Sequence, residues 1–295
     1  MSVQPVALLK SAVSGFLEDE ALTRGAAISF YTVTTIAPLL LIVIAIAGLV
    51  FGRDAAQGAI VGQLQGLMGR QPAEFMQGIL AHGTTTGGGV LSTILGIGTL
   101  LVTATGVFGE MQSALNVIWK AKSKAGTLSR LVRARAASLG LVVVLGFLLM
   151  VSLVVSAGLS AFGDWLSATL PVGKVVIDVL NQVISFALIA VLFAAIYKVL
   201  PDTHLEWRDV VGGSLATSAL FAVGKFLIAW YLSTSGVASS YGAAGSLILL
   251  LLWIYYSVQI FLLGAEFTKA WSNAHGSKAE AGEPVPAGPP TAARA

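Results

Sequence analysis

Six stretches of this chain, 27–51, 90–119, 136–161, 176–200, 210–233 and 242–271, are long, apolar and almost free of charge. A bilayer core about 30 Å thick is crossed by about 20 helical residues, and inside it every backbone polar group must be satisfied within the segment. Runs of this kind therefore fold as membrane-spanning helices. Composition agrees: 56% of the residues are hydrophobic and 11% charged, against about 25% charged in an ordinary soluble domain. The expected fold class is all-α, a polytopic six-helix bundle with short interfacial helices.

The segments are not equivalent. Pro38 lies inside the first and predicts a kink beside Thr34 and Thr35, because proline brings no N–H and its ring crowds the preceding turn. The second is long enough for its end, with Glu110 and Asn116, to project past the hydrocarbon. Pro201 closes the fourth, Lys225 lies within the fifth, and Gln259 and Glu266 lie within the sixth.

Residues 1–26 mix charges with short apolar stretches, so a removable signal is not expected there. Val6, Leu9, Val13, Phe16 and Leu17 recur at near-helical spacing, which predicts an amphipathic helix on the membrane surface. The longest connection, 52–89, shows helical periodicity over Ala55 to Met68 and Pro72 to Ala81, followed by a Thr/Gly run read as a hinge. Residues 276–295, rich in Pro, Ala and Gly, read as a disordered tail.

An even number of spans puts both termini on one side. Of the 17 basic residues, thirteen fall in the terminal segments and the second and fourth connections or, as Lys198 and Lys269 do, at the span ends that border them; Arg53, Arg70 and Lys174 fall on the opposite side, and Lys225 deep within a span. The positive-inside rule then assigns both termini to the cytoplasm. Six of the thirteen, Lys120, Lys122, Lys124, Arg130, Arg133 and Arg135, cluster in the second connection. They read as a topology determinant or as a site for anionic lipid head groups.

A charge within hydrocarbon costs at least about 2.5 kcal/mol and needs a reason. Lys225 lies deep in its span, and side chains lean toward the N-terminal end of their own helix. Lys225 and Glu110, on spans of opposite direction, are expected to reach toward each other as an intramembrane pair or shared polar cavity. Glu266 is expected to be neutralised by Arg24, Arg208 or Lys269. Together Lys225, Glu110, Asn116 and Glu266 form the candidate intramembrane polar site.

Other chemistries find little support. The chain has no cysteine, and its three histidines, His82, His204 and His275, are far apart, so neither a metal centre nor a thiol nucleophile is expected. No phosphate-binding loop, serine-hydrolase elbow or zinc-protease motif is present. No cofactor and no catalytic residue is assigned, the chain is not read as an enzyme, and its basic loop lacks the aromatic interleaving of a nucleic-acid site.

Several short motifs recur in a specific order: Ala26-Ala27-Ile28-Ser29-Phe30-Tyr31 with Pro38, Ala114-Leu115-Asn116-Val117-Ile118-Trp119, and Tyr197-Lys198-Val199-Leu200-Pro201-Asp202. They continue with Trp207-Arg208-Asp209, Gly212-Gly213, Lys225, Tyr231, Tyr241-Gly242, Trp253-Ile254-Tyr255 and Gly264-Ala265-Glu266. Through them the chain resembles the YihY/virulence factor BrkB family of bacterial inner-membrane proteins over about Leu8 to Trp271. The resemblance implies a six-span inner-membrane protein. Some members were once labelled as a tRNA-processing ribonuclease, a role for which these residues supply no carboxylate cluster. Others have been linked to serum resistance and to envelope lipid or lipopolysaccharide handling. The expected function is therefore lipid transport or translocation without an intrinsic ATPase, with membrane lipids as partners. The alternatives are a small-solute or ion transporter, or a scaffold holding an envelope protein through 52–89. Oligomeric state is not written in the sequence.

Overall fold

The structure, a computed structural model, describes residues 5–85, 106–121, 151, 158, 173–234, 241 and 244–275. Its helices are α1 (Pro5–Glu18), α2 (Ala21–Phe51), α3 (Arg53–Met68), α4 (Arg70–Thr85), α5 (106–118), α6 (Gly173–Val199), α7 (Trp207–Thr234) and α8 (Gly245–His275). Among the described residues no strand occurs, and the chain is an all-α, multi-pass membrane protein.

Four helices are long and apolar enough to cross a membrane: Ala21–Leu49, Val179–Val199, Trp207–Leu232 and Gly245–Ala274. They coincide with the first, fourth, fifth and sixth stretches singled out in the sequence. Of the expected span 90–119, residues 106–119 are described; the expected span 136–161, apart from 151 and 158, and the tail 276–295 lie outside the described residues. At about 1.5 Å per residue, the 31 residues of α2 exceed the hydrocarbon thickness. Pro38 lies inside α2, which stays helical on both sides of it. Just upstream, the hydroxyls of Thr34 and Thr35 both donate to the Tyr31 carbonyl, at 2.8 and 2.7 Å.

Two glycines fold the chain back after α2. Gly52 (φ 84°) and Gly69 (φ 83°) occupy a region of backbone conformation that side chains disfavour, and each donates its N–H to the carbonyl four residues back. The result is the helix pair α3–α4, matching the periodicity expected over 55–68 and 72–81. Residues 83–85, read as the start of a hinge, continue α4. Ile60, Leu64 and Met68 of α3 and Ala73, Met76 and Leu80 of α4 close over Leu40, Val43 and Ile44 of α2 and Leu250 and Ile254 of α8.

A second core occupies the opposite end. Ala21 and Ile28 of α2, Phe108, Leu115 and Ile118 of α5, Phe193, Ile196 and Tyr197 of α6, Val210 of α7 and Phe261, Leu262 and Ala265 of α8 pack together there. Helix α8 is the hub, packing along α7, α2 and α1 and reaching α4. The outward faces of α6 and α7 remain apolar, with Val179, Val183, Val191, Leu215, Val223, Phe226, Leu227 and Trp230 all exposed. Hydrocarbon, unlike water, suits such a surface.

Helix α1 is two-faced. Leu8 and Ala12 are buried, and Gly15 touches α8. Of the apolar set read from the sequence, Val6, Leu9, Val13 and Leu17 are exposed, while Phe16 is half-buried and packs against the core. The helix thus packs on α8, with Gly15 against Glu266, and presents four of its bulky apolar residues to the surroundings.

Candidate functional site

The α7–α8 crossing sets the geometry of everything near it. In antiparallel register Gly213 lies against Thr268 and Gly264 against Thr217, while Gly212 meets Trp271 and Gly224 meets Ile260. Small residues four apart on each helix allow this approach. Both threonine hydroxyls donate to carbonyls of their own helix, Thr217 to Gly213 at 2.7 Å and Thr268 to Gly264 at 2.6 Å. Tyr197 of α6, wholly buried, reaches into the crossing and donates to the Phe261 carbonyl at 2.7 Å. Its ring stacks on Phe261, centroids 5.3 Å apart.

Around this crossing lie three polar or grooved regions. In the first, Glu266 is 2% exposed and touches the backbone of Gly15, where a Cβ would come within 2.5 Å of its Oε2. The Lys269 ammonium sits 3.3 Å from Glu266 and 3.6 Å from Asp19. Of the three cations considered for Glu266, the structure places Lys269 there. Arg24 instead donates to the Asp19 carbonyl at 3.0 Å, and Arg208 pairs with Glu206 at 2.9 Å. Glu266 Oε1 has no hydrogen-bond partner. One lysine thus bridges two carboxylates where α1, α2 and α8 meet.

The second region joins α5 to the turn after α6. Pro201 and the residues around it carry the chain from α6 into α7 and present Asp202 to α5. Asn116 donates to Asp202 Oδ2 at 2.9 Å and accepts from the Asp202 N–H at 2.7 Å, and Gln112, one helical turn earlier, donates to Oδ1 at 3.2 Å. A cleft of about 520 Å³ opens here, lined by Gln112, Ser113, Asn116, Lys120 and Asp202. The turn is held from behind: Lys198 donates to the Leu205 carbonyl and lies 5.7 Å from the Trp207 ring centroid. The buried Asp209 accepts from the Glu206 N–H at 3.0 Å, satisfying one free donor at the α7 N-terminus.

The third region is an apolar groove of about 410 Å³ between α7 and α8, lined by Leu220, Val223, Leu227, Tyr231, Tyr256 and Leu263, with Phe16 of α1 also in its lining. Gln259 also lines it, and its amide abuts Gly25 of α2.

The sequence-derived site is therefore distributed rather than assembled. Lys225 and Glu110 are not joined by an ion pair; among the described residues Lys225 has no carboxylate partner, and its ammonium lies 5.2 Å from the Phe226 ring centroid. The lysine sits beside the groove wall without lining it. Asn116 and Lys120 belong to the second region and Glu266 to the first. Lys122, Lys124, Arg130, Arg133 and Arg135 lie outside the described residues. Asp202, Gln112, Asp19 and Gly15 were not singled out as site residues. The spacing of Gln112 and Asn116, four apart on one helix face, and a carboxylate directly after a span-ending proline were the available signals.

The sequence profile of the virulence factor BrkB family matches residues 12–287. A UPF0761 membrane protein of Methylibium petroleiphilum is 30% identical over 269 residues, which cover 87% of this chain and 60% of the relative. One from Rhodospirillum centenum is 28% identical over 269 residues, covering 89% and 57%. One from Yersinia pestis is 32% identical over 178 residues, covering 60% and 58%. The chain thus spans about 60% of the length of these curated relatives. No solved structure matches. With its profile match running from α1 past the end of α8, this multi-pass membrane protein belongs to the virulence factor BrkB family.

Proposed function

We propose that the protein handles lipid in the bacterial inner membrane, with both termini cytoplasmic, moving phospholipid between leaflets or passing it to an envelope partner without an ATPase of its own. The observation that supports this reading is the α7–α8 groove. It is walled by apolar and aromatic side chains on two helices long and apolar enough to span a bilayer. Val223 and Leu227 on its wall are 57% and 61% exposed, so the groove is open sideways, toward the medium that surrounds a spanning helix. An acyl chain entering laterally exchanges hydrocarbon contacts for side-chain contacts at little desolvation cost, while charges at the bundle end meet the head group. The α3–α4 pair, at the opposite end from Asp19 and Lys269, is the surface through which an envelope partner would dock.

Reconstitution tests the reading directly. The purified protein in phospholipid vesicles is expected to accelerate transbilayer exchange of a fluorescent phospholipid, and Val223→Trp with Leu227→Trp, which fill the groove from its exposed wall, to abolish the acceleration. Vesicles with protein that exchange lipid no faster than empty ones, together with purified protein retaining no lipid by mass spectrometry, would dispose of it. A second reading, an ion-coupled solute carrier, draws on the Glu266–Lys269–Asp19 cluster. It requires solute flux that responds to an imposed pH gradient and is lost in Glu266→Gln.

A further inference from the structure

The cleft beside α5 holds two charges of opposite sign that do not pair with each other. Asp202 is oriented by two neutral amides, those of Asn116 and Gln112, which bring hydrogen bonds and no charge. An ionised carboxylate has about four lone-pair positions, so acceptor capacity remains. Among the described residues no cation lies within 4.0 Å of it, and no carboxylate lies within 4.0 Å of Lys120.

Lys120 is also held at the cleft rim by its backbone. Its N–H donates to the Val117 carbonyl at 3.0 Å and the Ala121 N–H to the Asn116 carbonyl at 2.9 Å. This is the closure that ends a helix with one left-handed residue. Here that residue is a lysine, with φ 50°, where glycine is usual. Asn116 takes part in both arrangements: its carbonyl closes the helix and its side chain clamps Asp202.

We propose that this cleft is a head-group site for an ethanolamine phospholipid, Asp202 receiving the primary ammonium and Lys120 the phosphate. A simple anion would meet the Asp202 carboxylate, and a simple cation would meet the Lys120 ammonium; a zwitterion satisfies both. Within the zwitterions the lining discriminates further. A trimethylammonium group is recognised by aromatic faces, and among the described residues none lining the cleft is aromatic. Asp202 instead offers oxygen lone pairs, which suit an ammonium that can donate hydrogen bonds. The inference rests on the reading of the protein as a lipid handler, but uses a different part of the molecule from the groove.

The test is a binding titration of the full-length protein in detergent with lyso-phosphatidylethanolamine, its choline and glycerol counterparts, and water-soluble glycerophosphoethanolamine. The ethanolamine lysolipid is expected to bind at least about tenfold more tightly than the choline or glycerol forms, the difference one charge-assisted hydrogen bond supplies. Asp202→Asn is expected to remove that preference, and Lys120→Gln at the exposed rim, which loses the phosphate partner common to all three, to weaken the three lysolipids together. Equal affinity for the three lysolipids, a preference that survives Asp202→Asn, or affinities unchanged by Lys120→Gln overturns the proposal. Glycerophosphoethanolamine binding as tightly as the lysolipid would overturn the lipid as the source and assign the site to a soluble ester. The Val223→Trp, Leu227→Trp protein separates the two readings. It is expected to keep the ethanolamine preference while losing lipid exchange, so failure of the groove leaves the cleft result standing and the reverse.

Discussion

The backbone of Gly213 lies so close to Thr268 that the methyl group of an alanine would fall within the shell of the threonine hydroxyl, and Gly264 stands in the same relation to Thr217. Thr217 and Thr268 are themselves buried and hydrogen-bonded to their own helices, so neither can swing aside cheaply. Gly213→Ala is expected to destabilise the α7–α8 pair by about 1–3 kcal/mol, the usual cost of overpacking. Thr268→Gly in the same chain, which also removes the Cβ that would stand 2.5 Å from the new methyl, should restore part of the loss, because the two positions share one contact. Thermal unfolding of both variants and the double variant in detergent checks this; strictly additive losses would contradict it.

Tyr197 gives a smaller effect. Tyr197→Phe keeps the stack on Phe261 and removes the hydroxyl's hydrogen bond to the Phe261 carbonyl. A net loss of about 0.5–1.5 kcal/mol is expected. Tyr197→Ala, which also empties a wholly buried site, should cost about 3–5 kcal/mol, in the range of other large aromatic deletions. Equal melting temperatures for the two variants would show that the ring does not hold α6 to the crossing.

Much of this architecture was legible because bilayer thickness and hydrogen-bond satisfaction leave few options for a long apolar run. The helix positions of α2, α6, α7 and α8 and the pair α3–α4 follow from run length and 3.6-residue periodicity alone. The side-chain constellation was less legible. By sequence Lys225 and Glu110 lie at comparable depth, but depth does not give the rotation of a helix about its axis, and the Lys225 ammonium lies near the Phe226 ring instead. A cationic neighbour for Glu266 follows from Lys269 one helical turn away, whereas Asp19 reaches the same lysine across a tertiary contact, where Gly15 of α1 lies against Glu266 of α8. Asp202 was hidden for a related reason: its partners lie 86 and 90 positions away in sequence, and no local pattern announces such a contact.

The carboxylate pair around Lys269 makes a prediction of unusual sign. Removing the cation leaves Asp19 and the buried Glu266 facing each other without compensation. Breaking a buried pair in this way costs about 3–5 kcal/mol, toward the lower end where an edge stays accessible. Lys269→Met is therefore expected to be more damaging than Glu266→Gln, and Glu266→Gln should rescue Lys269→Met. Unfolding curves for the two single variants and the double variant decide the matter, and a double variant less stable than Lys269→Met alone would refute the bridging role.

Lys120 separates fold from ligand binding. Its left-handed backbone costs a side-chain-bearing residue about 1–2 kcal/mol, part of which glycine would recover after its own entropic penalty in the unfolded chain. Lys120→Gly is thus expected to raise the melting temperature slightly while weakening retention of an ethanolamine head group. Lys120→Gln, which keeps the strained backbone, should lower retention without the stabilisation. A residue selected for helix closure would be improved by glycine on every measure, whereas a residue kept for its ammonium gains stability and loses ligand. Melting curves of the two variants, with and without lyso-phosphatidylethanolamine, distinguish these outcomes. Stabilisation by the lysolipid that is undiminished in both variants would remove Lys120 from the site.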